Sequence, residues 1–360
     1  MKGATTVNLT FDHVTLGQRV LFGSGRAADN LADEVARLGA RRVMVVASRS
    51  ETRVAQAVTT HIDVAVFHDD VAPHVPIANA ESARAVAADN AIDLLVCIGG
   101  GSTTGLAKAV ALTTGLPIVA VPTTYAGSEA TNVWGLTEAA RKTTGVDDRV
   151  LPVTVIYDAH LTLSLPVALS VASGLNGMAH CIDSMWAPRT DPINRALAAE
   201  GIRALAEGLP LIKSDPQDVS GREQALYGAY LSAVAFASAG SGLHHKICHV
   251  LGGAYDLPHA QTHATVLPYV LAFNAPAAPE AERRIAAAFG TGTAVAGLSA
   301  LRATLDAPRA LKDYGLDEAR IPEAVELILP VVPDSNPRPV TATDLDALLR
   351  AAHAGETPVL

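Results

Sequence analysis

Histidines are concentrated in one short part of the chain. Of the 12 histidines in 360 residues, five fall between positions 244 and 263, a density well above the chain's average. They are His244, His245, His249, His259 and His263. His245 and His249 have the i,i+4 spacing that puts two side chains on one face of a helix, and His259 follows a Gly252-Gly253 break. Such a set can bind a metal or move a proton, whereas a single histidine is more often an ordinary core or surface residue.

A second i,i+4 pair lies upstream, where Asn176 and His180 occur in the segment SGLNGMAHCIDSMW. Together with His245 and His259 they would form a cage of four side chains that suits a divalent transition metal such as iron or zinc. Asn176 is the weak point, because a neutral amide beside three neutral imidazoles leaves the charge of the metal unbalanced. The sequence therefore indicates a metal site at His180, His245 and His259 and leaves its occupancy open.

A glycine-rich turn follows one of the apolar runs. The run DLLVCI leads into Gly99, Gly100, Gly101 and Ser102 and then into the helical stretch TTGLAKAVALTTG. Glycines at such a turn let the backbone approach a pyrophosphate, and the N–H groups of the following helix attract its charge. The alternative is a plain tight turn between strand and helix, for which glycine is also the usual residue.

Another glycine pattern, GSGRAA at 23–28, resembles a dinucleotide fingerprint only superficially. The full GxGxxG is absent, and the next apolar run ends in Ala47-Ser48-Arg49 without an acidic residue. We assign Ser48 to the cofactor site. Arg49 either pairs with the 2′-phosphate of NADPH or is a surface residue, so the choice between NADH and NADPH stays open.

Hydroxyl side chains gather in the segment PTTYAGSE at 122–129, which follows a further apolar run. Thr123, Thr124 and Ser128 are candidates for binding phosphate or ribose oxygens of a dinucleotide. Equally, these hydroxyls could satisfy only the backbone of the turn.

The elements that must position these residues change character near residue 160. Before it, short β-branched runs at 41–46, 64–69, 93–100, 116–124 and 153–158 alternate with Ala-rich helical stretches, which predicts a parallel sheet covered on both faces. From about Pro166 onward only helical periodicity is seen. We predict a Rossmann-like α/β domain at 1–162 and an all-α catalytic domain at 163–360, with the site in the cleft between them.

Composition excludes several classes of protein. Hydrophobic residues make up 49% and charged ones 18%, which is typical of a globular enzyme. A net charge of −9 without any Lys/Arg run argues against a nucleic-acid partner, although a cleft could still bind a dicarboxylate. Cys97, Cys181 and Cys248 show no CxxC spacing and suggest neither disulfides nor a cysteine zinc site. Without a signal peptide or an uninterrupted membrane-spanning run, a cytoplasmic protein is expected.

These motifs, in this order, resemble the iron-containing alcohol dehydrogenase family over nearly the whole chain. The GGGS loop of the family matches 99–102, its TT-x-x-GSE loop matches 123–129, and its D-x3-H, H-x3-H and P-H elements fall on 176–180, 245–249 and 258–259. The resemblance implies a dinucleotide-binding α/β domain followed by a helical domain, the dehydroquinate synthase-like fold. It also implies that His180, His245 and His259 are metal ligands, that His249 is the catalytic histidine near the nicotinamide, and that the chain forms a homodimer.

Two departures narrow the resemblance to one branch of that family. The family's Asp ligand is Asn176 here, and the Asp that usually follows GGGS-x-x is Gly105. With segments such as GLHHKICHVLGG and DLPHAQTH, this looks like the branch that reduces 2-maleylacetate to 3-oxoadipate with NADH or NADPH, in the degradation of resorcinol-type and chlorinated aromatics. That chemistry adds a hydride to a C=C bond conjugated to a ketone and then protonates the enolate, a step for which we assign His249.

The same resemblance suggests roles for three further residues. His244 and Lys246, beside the histidine cluster, are candidates for holding the carboxylates of the substrate. Lys142, in the segment RKTTG, resembles a family position near the cofactor ribose. Either lysine could instead be a solvated surface residue.

Two other functions remain alternatives. The first is a metal-dependent alcohol or glycerol dehydrogenase of the same family, which tight stoichiometric iron or zinc together with alcohol oxidation would indicate. The second is a nucleotide-binding protein without catalysis, whose histidines store or sense a metal. Oxidation of NADH on addition of maleylacetate would exclude it.

Overall fold

The computed structural model describes residues 10–138 and 141–358, and it describes all their side chains except those of Arg141 and Lys142. The strands are β1 (Arg19–Phe22), β2 (Val43–Val46), β3 (Val64–His68), β4 (Leu94–Gly99), β5 (Ile118–Pro122), β6 (Val133–Glu138), β7 (Arg141–Val146) and β8 (Thr154–Tyr157). Six of them form a parallel sheet in the order β1-β8-β5-β4-β2-β3, and β6 pairs with β7 in an antiparallel hairpin.

Helices cover both faces of the parallel sheet, as the apolar runs predicted. The helices of this part are α1 (Ala27–Leu38), α2 (Thr52–Val58), α3 (Ile77–Asp89) and α4 (Gly101–Thr114). α1 and α2 pack on one face, against Val45 and Val96, while α3 and α4 pack on the other, against Met44 and Cys97. Strands β2, β4, β5 and β8 are buried at every position, which explains their continuous apolar sequences.

The five predicted strands are confirmed as β2, β3, β4, β5 and β8, but three strands were missed. β1 lies at the sheet edge with both its end residues exposed, so its sequence RVLF lacks the long apolar run of a central strand. The β6–β7 hairpin is rich in polar residues and lies outside the main sheet. Sequence periodicity is weak in both cases because little of the surface is buried.

The rest of the chain is helical, as predicted. Its helices are α5 (Val167–Ser184), α6 (Pro192–Ser214), α7 (Val219–Ala239), α8 (Leu243–Tyr255), α9 (His259–Asn274), α10 (Pro279–Phe289), α11 (Ala294–Leu305), α12 (Ile321–Ile328) and α13 (Ala342–Ala354). α5 is buried without interruption from Ser170 to Ser184 and packs among α6, α7 and α9. A second apolar cluster joins α8 and α9 to α12 and α13. Asn176 and His180 therefore lie in the interior of the helical region.

One stretch within the described ranges, Pro279–Leu305, is long and apolar enough to cross a membrane by length and composition, with a mean hydropathy of 1.2. It consists of two helices, α10 with 11 residues and α11 with 12. Gly290 ends the first in the left-handed region, and the Thr293 side chain caps the second. Neither helix alone has the roughly 20 residues that a crossing needs.

Candidate active site

The glycine-rich turn joins the buried end of β4 to the start of α4. Gly99 has a φ of 150°, and a Cβ there would lie 2.6 Å from the Thr103 Oγ1 atom. A Cβ on Gly100 would lie 3.0 Å from the Thr124 Cγ2 atom. Gly100 is the N-cap of α4, and no described side chain caps the helix. The predicted glycines thus allow a conformation that leaves the N–H groups at the start of α4 available to an anion.

The glycine-rich turn lies at the topological switch point of the sheet, between β2 and β4. β2 and β4 are neighbours in the sheet, but the helices that follow them, α2 and α4, cover opposite faces. In open α/β sheets, the carboxyl ends of two such strands border the crevice in which nucleotides bind. Ser48, two residues after the end of β2, lies half-buried at that edge. The predicted positions of Gly99–Ser102 and Ser48 are therefore adjacent in the fold.

A carboxylate that the sequence reasoning missed also lies at this edge. Glu51 belongs to the short 3-10 turn after β2, and its Oε1 atom accepts a hydrogen bond of 2.9 Å from the Thr123 hydroxyl. Thr123 follows β5, so this bond spans the end of β4. Arg49, nearby, forms an exposed ion pair with Asp69 at 3.2 Å. Glu51 was overlooked because it stands beyond the strand end where the usual acidic residue is sought.

Lys108 on α4 holds in place the loop that carries Thr123, Thr124 and Ser128. This fully buried lysine donates hydrogen bonds to the carbonyl oxygens of Ser128 (2.6 Å), Thr131 (2.7 Å) and Val133 (2.8 Å). Burial lowers the pKa of the Lys108 amine to about 7, and the nearby Glu129 carboxylate opposes that change. A lone lysine within the apolar helix sequence GLAKAVAL was the available signal for this role.

The same loop is also held by the helical region. The Tyr125 hydroxyl accepts a hydrogen bond of 3.1 Å from Arg222, a fully buried residue of α7. Tyr157 at the end of β8 donates to Glu129 Oε1 at 2.8 Å. Burial raises the pKa of Glu129, because the carboxylate loses its hydration. Residues of the sheet region and of the helical region therefore both contact the predicted cofactor loop.

The GSGRAA pattern at 23–28 begins α1, but its helix start is already occupied. The N–H groups of Gly25 and Ala27 donate to the two oxygens of the Asp158 carboxylate at 2.8 and 3.0 Å. A second anion at this place would be repelled by that carboxylate. The geometry agrees with setting this pattern aside as a pyrophosphate site.

The histidine cluster comes together from three helices. Helix α5 supplies Asn176 and His180, α8 supplies His244, His245 and His249, and α9 supplies His259 and His263. The ring centroids of His180 and His245 lie 4.9 Å apart, those of His245 and His249 5.9 Å, and those of His249 and His259 6.5 Å. The spacing argument therefore grouped these residues correctly.

Exposure divides the cluster into an inner and an outer part. Five members are buried, namely Asn176, His180, His244, His245 and His263. His249 and His259 are exposed, and Lys246 is half-buried. A substrate entering from solvent would meet the exposed pair first.

Asp183, one turn after His180 on α5, organises the inner part. Its fully buried carboxylate accepts hydrogen bonds through Oδ2 from His245 Nδ1 (2.7 Å) and from the Gly242 N–H (2.8 Å). A Cβ on Gly242 would collide with this carboxylate. Because Nδ1 of His245 carries the hydrogen, its Nε2 carries the lone pair. Sequence reasoning missed Asp183, although an acidic residue within a buried apolar helix was a usable signal.

The buried histidines are neutral. Burial lowers the pKa of His180 to about 3, and the neighbouring His259 adds to the effect. The pKa values of His244, His245 and His263 fall well below the usual value, again chiefly through burial. Burial raises the pKa of Asp183, while hydrogen bonds from Gly242 and His245 oppose that rise. These imidazoles therefore offer neutral lone pairs and N–H groups.

The donor set fits a cation by atom type. Asn176 Oδ1, His180 Nδ1 and His245 Nε2 are buried and have no hydrogen-bond partner among the described residues. Nitrogen lone pairs backed by a carboxylate, as in the Asp183–His245 pair, are usual around transition metals. What the set lacks is a carboxylate in direct contact, because Asn176 occupies that place. The residues can hold a divalent ion without neutralising its charge.

Two further residues from the sequence reasoning can be placed. A Cβ on Gly105 would lie 2.8 Å from Val75 Cγ2, so the buried Val75 fills the space where a larger residue would need room. Lys142 lies in β7, but its side chain is outside the described residues, and its suggested place near the cofactor ribose stays a prediction.

Comparison with protein families supports the motifs. A model of the iron-containing alcohol dehydrogenases matches residues 17–159, and one of the C-terminal region of the Fe-containing alcohol dehydrogenase family matches residues 170–353. Together they cover most of the chain.

Individual relatives match over nearly the full length. The chain is 44% identical to a maleylacetate reductase from Pseudomonas sp. (strain P51) over 352 residues, 97% of this chain and 99% of the relative. Among solved structures, an iron-containing alcohol dehydrogenase from Corynebacterium glutamicum superimposes with a TM-score of 0.96 at 66% identity, covering 97% of this chain and 98% of that one. A maleylacetate reductase from Rhizobium sp. strain MTP-10005 gives a TM-score of 0.92 at 42% identity, covering 97% and 99%.

Proposed function

The chain belongs to the iron-containing alcohol dehydrogenase family and is an oxidoreductase, and on that basis we propose that it reduces 2-maleylacetate to 3-oxoadipate with NADH or NADPH. The observation that carries the proposal is the identity of 44% to a maleylacetate reductase across 97% of the chain. The site supports it through Asn176, which stands where the alcohol dehydrogenases of the family have a charged metal ligand. A late step in the degradation of aromatic compounds is the expected setting.

The cofactor would lie along the crevice at the ends of β2, β4 and β5. The N–H groups that follow Gly100 would bind its pyrophosphate, since the start of α4 is uncapped among the described side chains. Thr123 and Thr124 lie against that turn. With Ser48 and Ser128 they would contact ribose and phosphate oxygens. When bound, NADH or NADPH supplies the hydride.

The reaction requires one hydride and one proton. Hydride adds to the alkene carbon remote from the ketone, the π electrons of the C=C bond move onto the ketone oxygen, and the resulting enolate takes a proton on the carbon next to the carbonyl. His249 is exposed beside the inner cluster, and we assign the proton delivery to it. An N–H of His180 or His259 would donate a hydrogen bond to the developing oxyanion.

A divalent ion on His180, His245 and His259 would polarise the ketone oxygen as a Lewis acid. The assigned steps need only the imidazoles of the chain, so turnover without a tightly bound metal is part of the proposal.

The substrate is a dicarboxylate, and Lys246 is the better placed of the two predicted carboxylate-binding residues. It is half-buried on α8, next to the exposed part of the cluster. His244 is fully buried, and its Nε2 atom pairs with His263 at 3.0 Å. We therefore expect Lys246 to contact the substrate, and His244 to support the cluster from its buried side without touching the substrate.

We also propose a cytoplasmic homodimer with domains at 1–162 and 163–360. In the described sheet β1 pairs only with β8, and Phe22 at the end of β1 is 44% exposed. Phe11 and Val14, in the segment before β1, are 46% and 67% exposed. A bare sheet edge next to apolar side chains suits pairing with a second copy.

The decisive experiment follows the absorbance of reduced nicotinamide on addition of maleylacetate, with NADH and NADPH in parallel and with or without a chelator. We expect turnover that survives chelation. His249→Ala should cut turnover steeply and leave cofactor binding intact, while His61→Ala, which changes an exposed histidine between α2 and β3, serves as the control. No oxidation with either cofactor, or tight iron or zinc together with alcohol oxidation, would overturn the proposal in favour of a metal-dependent alcohol dehydrogenase.

A further inference from the structure

Three side chains outside the family's usual ligand set converge between helices α8 and α9. His244 and Cys248 are one turn apart on α8, and His263 lies on the second turn of α9. One donor atom from each of the three lies within 4.8 Å of the other two. All three side chains are almost completely inaccessible to solvent.

Two of the three donor distances are close to the edges of a coordination tetrahedron. His244 Nε2 lies 3.0 Å from His263 Nδ1 and 3.6 Å from Cys248 Sγ. With metal–nitrogen bonds of about 2.05 Å and metal–sulfur bonds of about 2.3 Å, a tetrahedral ion separates two nitrogens by about 3.3 Å and a nitrogen and a sulfur by about 3.6 Å. The third distance, between the ligand atoms of His263 and Cys248, is within 4.8 Å.

We propose that His244, Cys248 and His263 form a second metal site, which binds a thiophilic divalent ion such as Zn²⁺. The thiol proton is released to solvent on binding, so that a thiolate and two neutral imidazoles coordinate the ion and one positive charge remains. Three protein ligands leave a fourth position for water or another ligand. A set with sulfur and two nitrogens favours Zn²⁺ or Co²⁺ over Mg²⁺ or Ca²⁺, which prefer oxygen.

The two rings face each other at the place that the ion would take. His244 Nε2 and His263 Nδ1 share a hydrogen bond, and Cys248 Sγ approaches the same His244 nitrogen. A bound ion would replace that hydrogen bond and use both nitrogens and the sulfur at the same time. The other nitrogen of each ring, His244 Nδ1 and His263 Nε2, is buried without a hydrogen-bond partner among the described residues and takes no part in the proposed coordination.

This site is distinct from the set formed by Asn176, His180, His245 and His259. The two sets share no residue, and only the new one contains sulfur. A bound ion would tie α8 to α9, and so fix His245 and His249 relative to His259. The inference stands on the three side chains alone and does not depend on the identity of the substrate.

Cobalt absorption tests the site directly, because only a sulfur ligand gives thiolate-to-cobalt charge transfer in the near ultraviolet. The full chain is stripped with a chelator and titrated with Co²⁺, with metal content measured in parallel. We expect a sulfur band that saturates with the bound cobalt and disappears when Zn²⁺ displaces it. The band should be lost in Cys248→Ser and Cys248→Ala and kept in Cys181→Ser, which alters another buried cysteine of the helical region.

The usual ligand set is tested by a separate variant. His180→Asn should keep the sulfur band, since it removes a ligand only from the set without sulfur. Cobalt binding without a sulfur band, no cobalt binding, or a band that persists in both Cys248 variants would overturn the proposal. Circular dichroism and binding of NADH show whether each variant is folded. Whether the sulfur band forms at all is read from the unmodified chain, so this result does not depend on how a variant folds. Reduction of maleylacetate is measured separately, so that failure of the proposed function can be told from failure of the metal site.

Discussion

Replacing Asp183 by Asn tests whether a buried carboxylate controls the histidine cluster. In the structure Oδ2 accepts from His245 Nδ1 and the Gly242 N–H, at 2.7 and 2.8 Å, while Oδ1 lies 3.3 Å from Trp186 Nε1 and 3.4 Å from the His244 N–H. Asparagine has one acceptor oxygen in place of two. Whichever way the amide is turned, its NH₂ group faces two N–H donors that then lack an acceptor.

The size of the effect follows from those unsatisfied donors. A buried donor without an acceptor costs about 1–3 kcal/mol, and loss of the negative charge also weakens the bond to His245. Two such donors cost about 2–6 kcal/mol. Divided by an unfolding entropy of about 0.8 kcal/mol/K for a chain of this length, that cost lowers the melting temperature by roughly 2–8 °C. Because Asp183 sets the orientation of His245, we expect a fall in kcat of about 10–100-fold, the usual range for residues behind metal or catalytic histidines.

The assay is steady-state reduction of maleylacetate, with kcat and KM separated, beside a thermal melt. Asp334→Asn is the matched control, because Asp334 is an exposed aspartate of the same helical region. Asp183→Asn should still bind the cofactor, because Asp183 lies on α5 of the helical region and the glycine turn lies between β4 and α4. If Asp183→Asn keeps both the kcat and the melting temperature of the unmodified chain, the positioning role assigned to Asp183 is wrong.

Three other predictions concern the same sites. Gly99→Ala places a Cβ 2.6 Å from Thr103 Oγ1 at a φ of 150°. Because the turn must shift to avoid this contact, the KM for NAD(P)H should rise at least ~10-fold. Gly17→Ala is the control, since Gly17 has open space around it, and it should leave that KM unchanged. Asn176→Asp adds a carboxylate to the neutral donor set, so it should lower the melting temperature after chelation and raise it when Zn²⁺ is added; a melt insensitive to zinc would contradict the assignment. The pKa of His180 in the folded chain, about 3, lies below its unfolded value, so the unfolded state binds more protons in mild acid and stability is lost as the pH falls below about 6.5. At pH 5 this group alone should lower the free energy of unfolding by about 2 kcal/mol, measured as a lower urea midpoint. In His180→Gln the urea midpoint should fall less steeply as the pH is lowered.

Most of the fold was accessible from the sequence because buried parallel strands leave an unmistakable pattern. The runs that became β2, β4, β5 and β8 are buried throughout and apolar apart from Thr154 of β8. β1 was not accessible, since an edge strand of four residues with exposed ends buries too little to require such a run. The helical region was recognised by its period, but no pattern in the sequence specified which helices pack together.

The site was predictable where spacing on one helix was decisive and unpredictable where partners came from distant segments. Asn176 with His180, and His245 with His249, follow from the i,i+4 rule. An acidic residue within an apolar helix was a usable signal for Asp183, but its contact with α8 does not follow from spacing. Searching only for paired cysteines likewise hid Cys248, whose neighbours are histidines.

The uncharged side chain of Asn176 bears on whether the reaction needs a metal. Hydride addition makes an anionic enolate oxygen, and a carboxylate at position 176 would repel it unless a cation stood between them. An amide at that position carries no charge, so the imidazoles of His180 and His259 can meet the oxyanion with N–H groups alone. The buried carboxylate beside the histidine cluster, Asp183, accepts hydrogen bonds from His245 and Gly242 and lies behind His245. The arrangement therefore favours formation of negative charge on the substrate without a bound ion, and Asn176→Asp should make turnover depend on added metal.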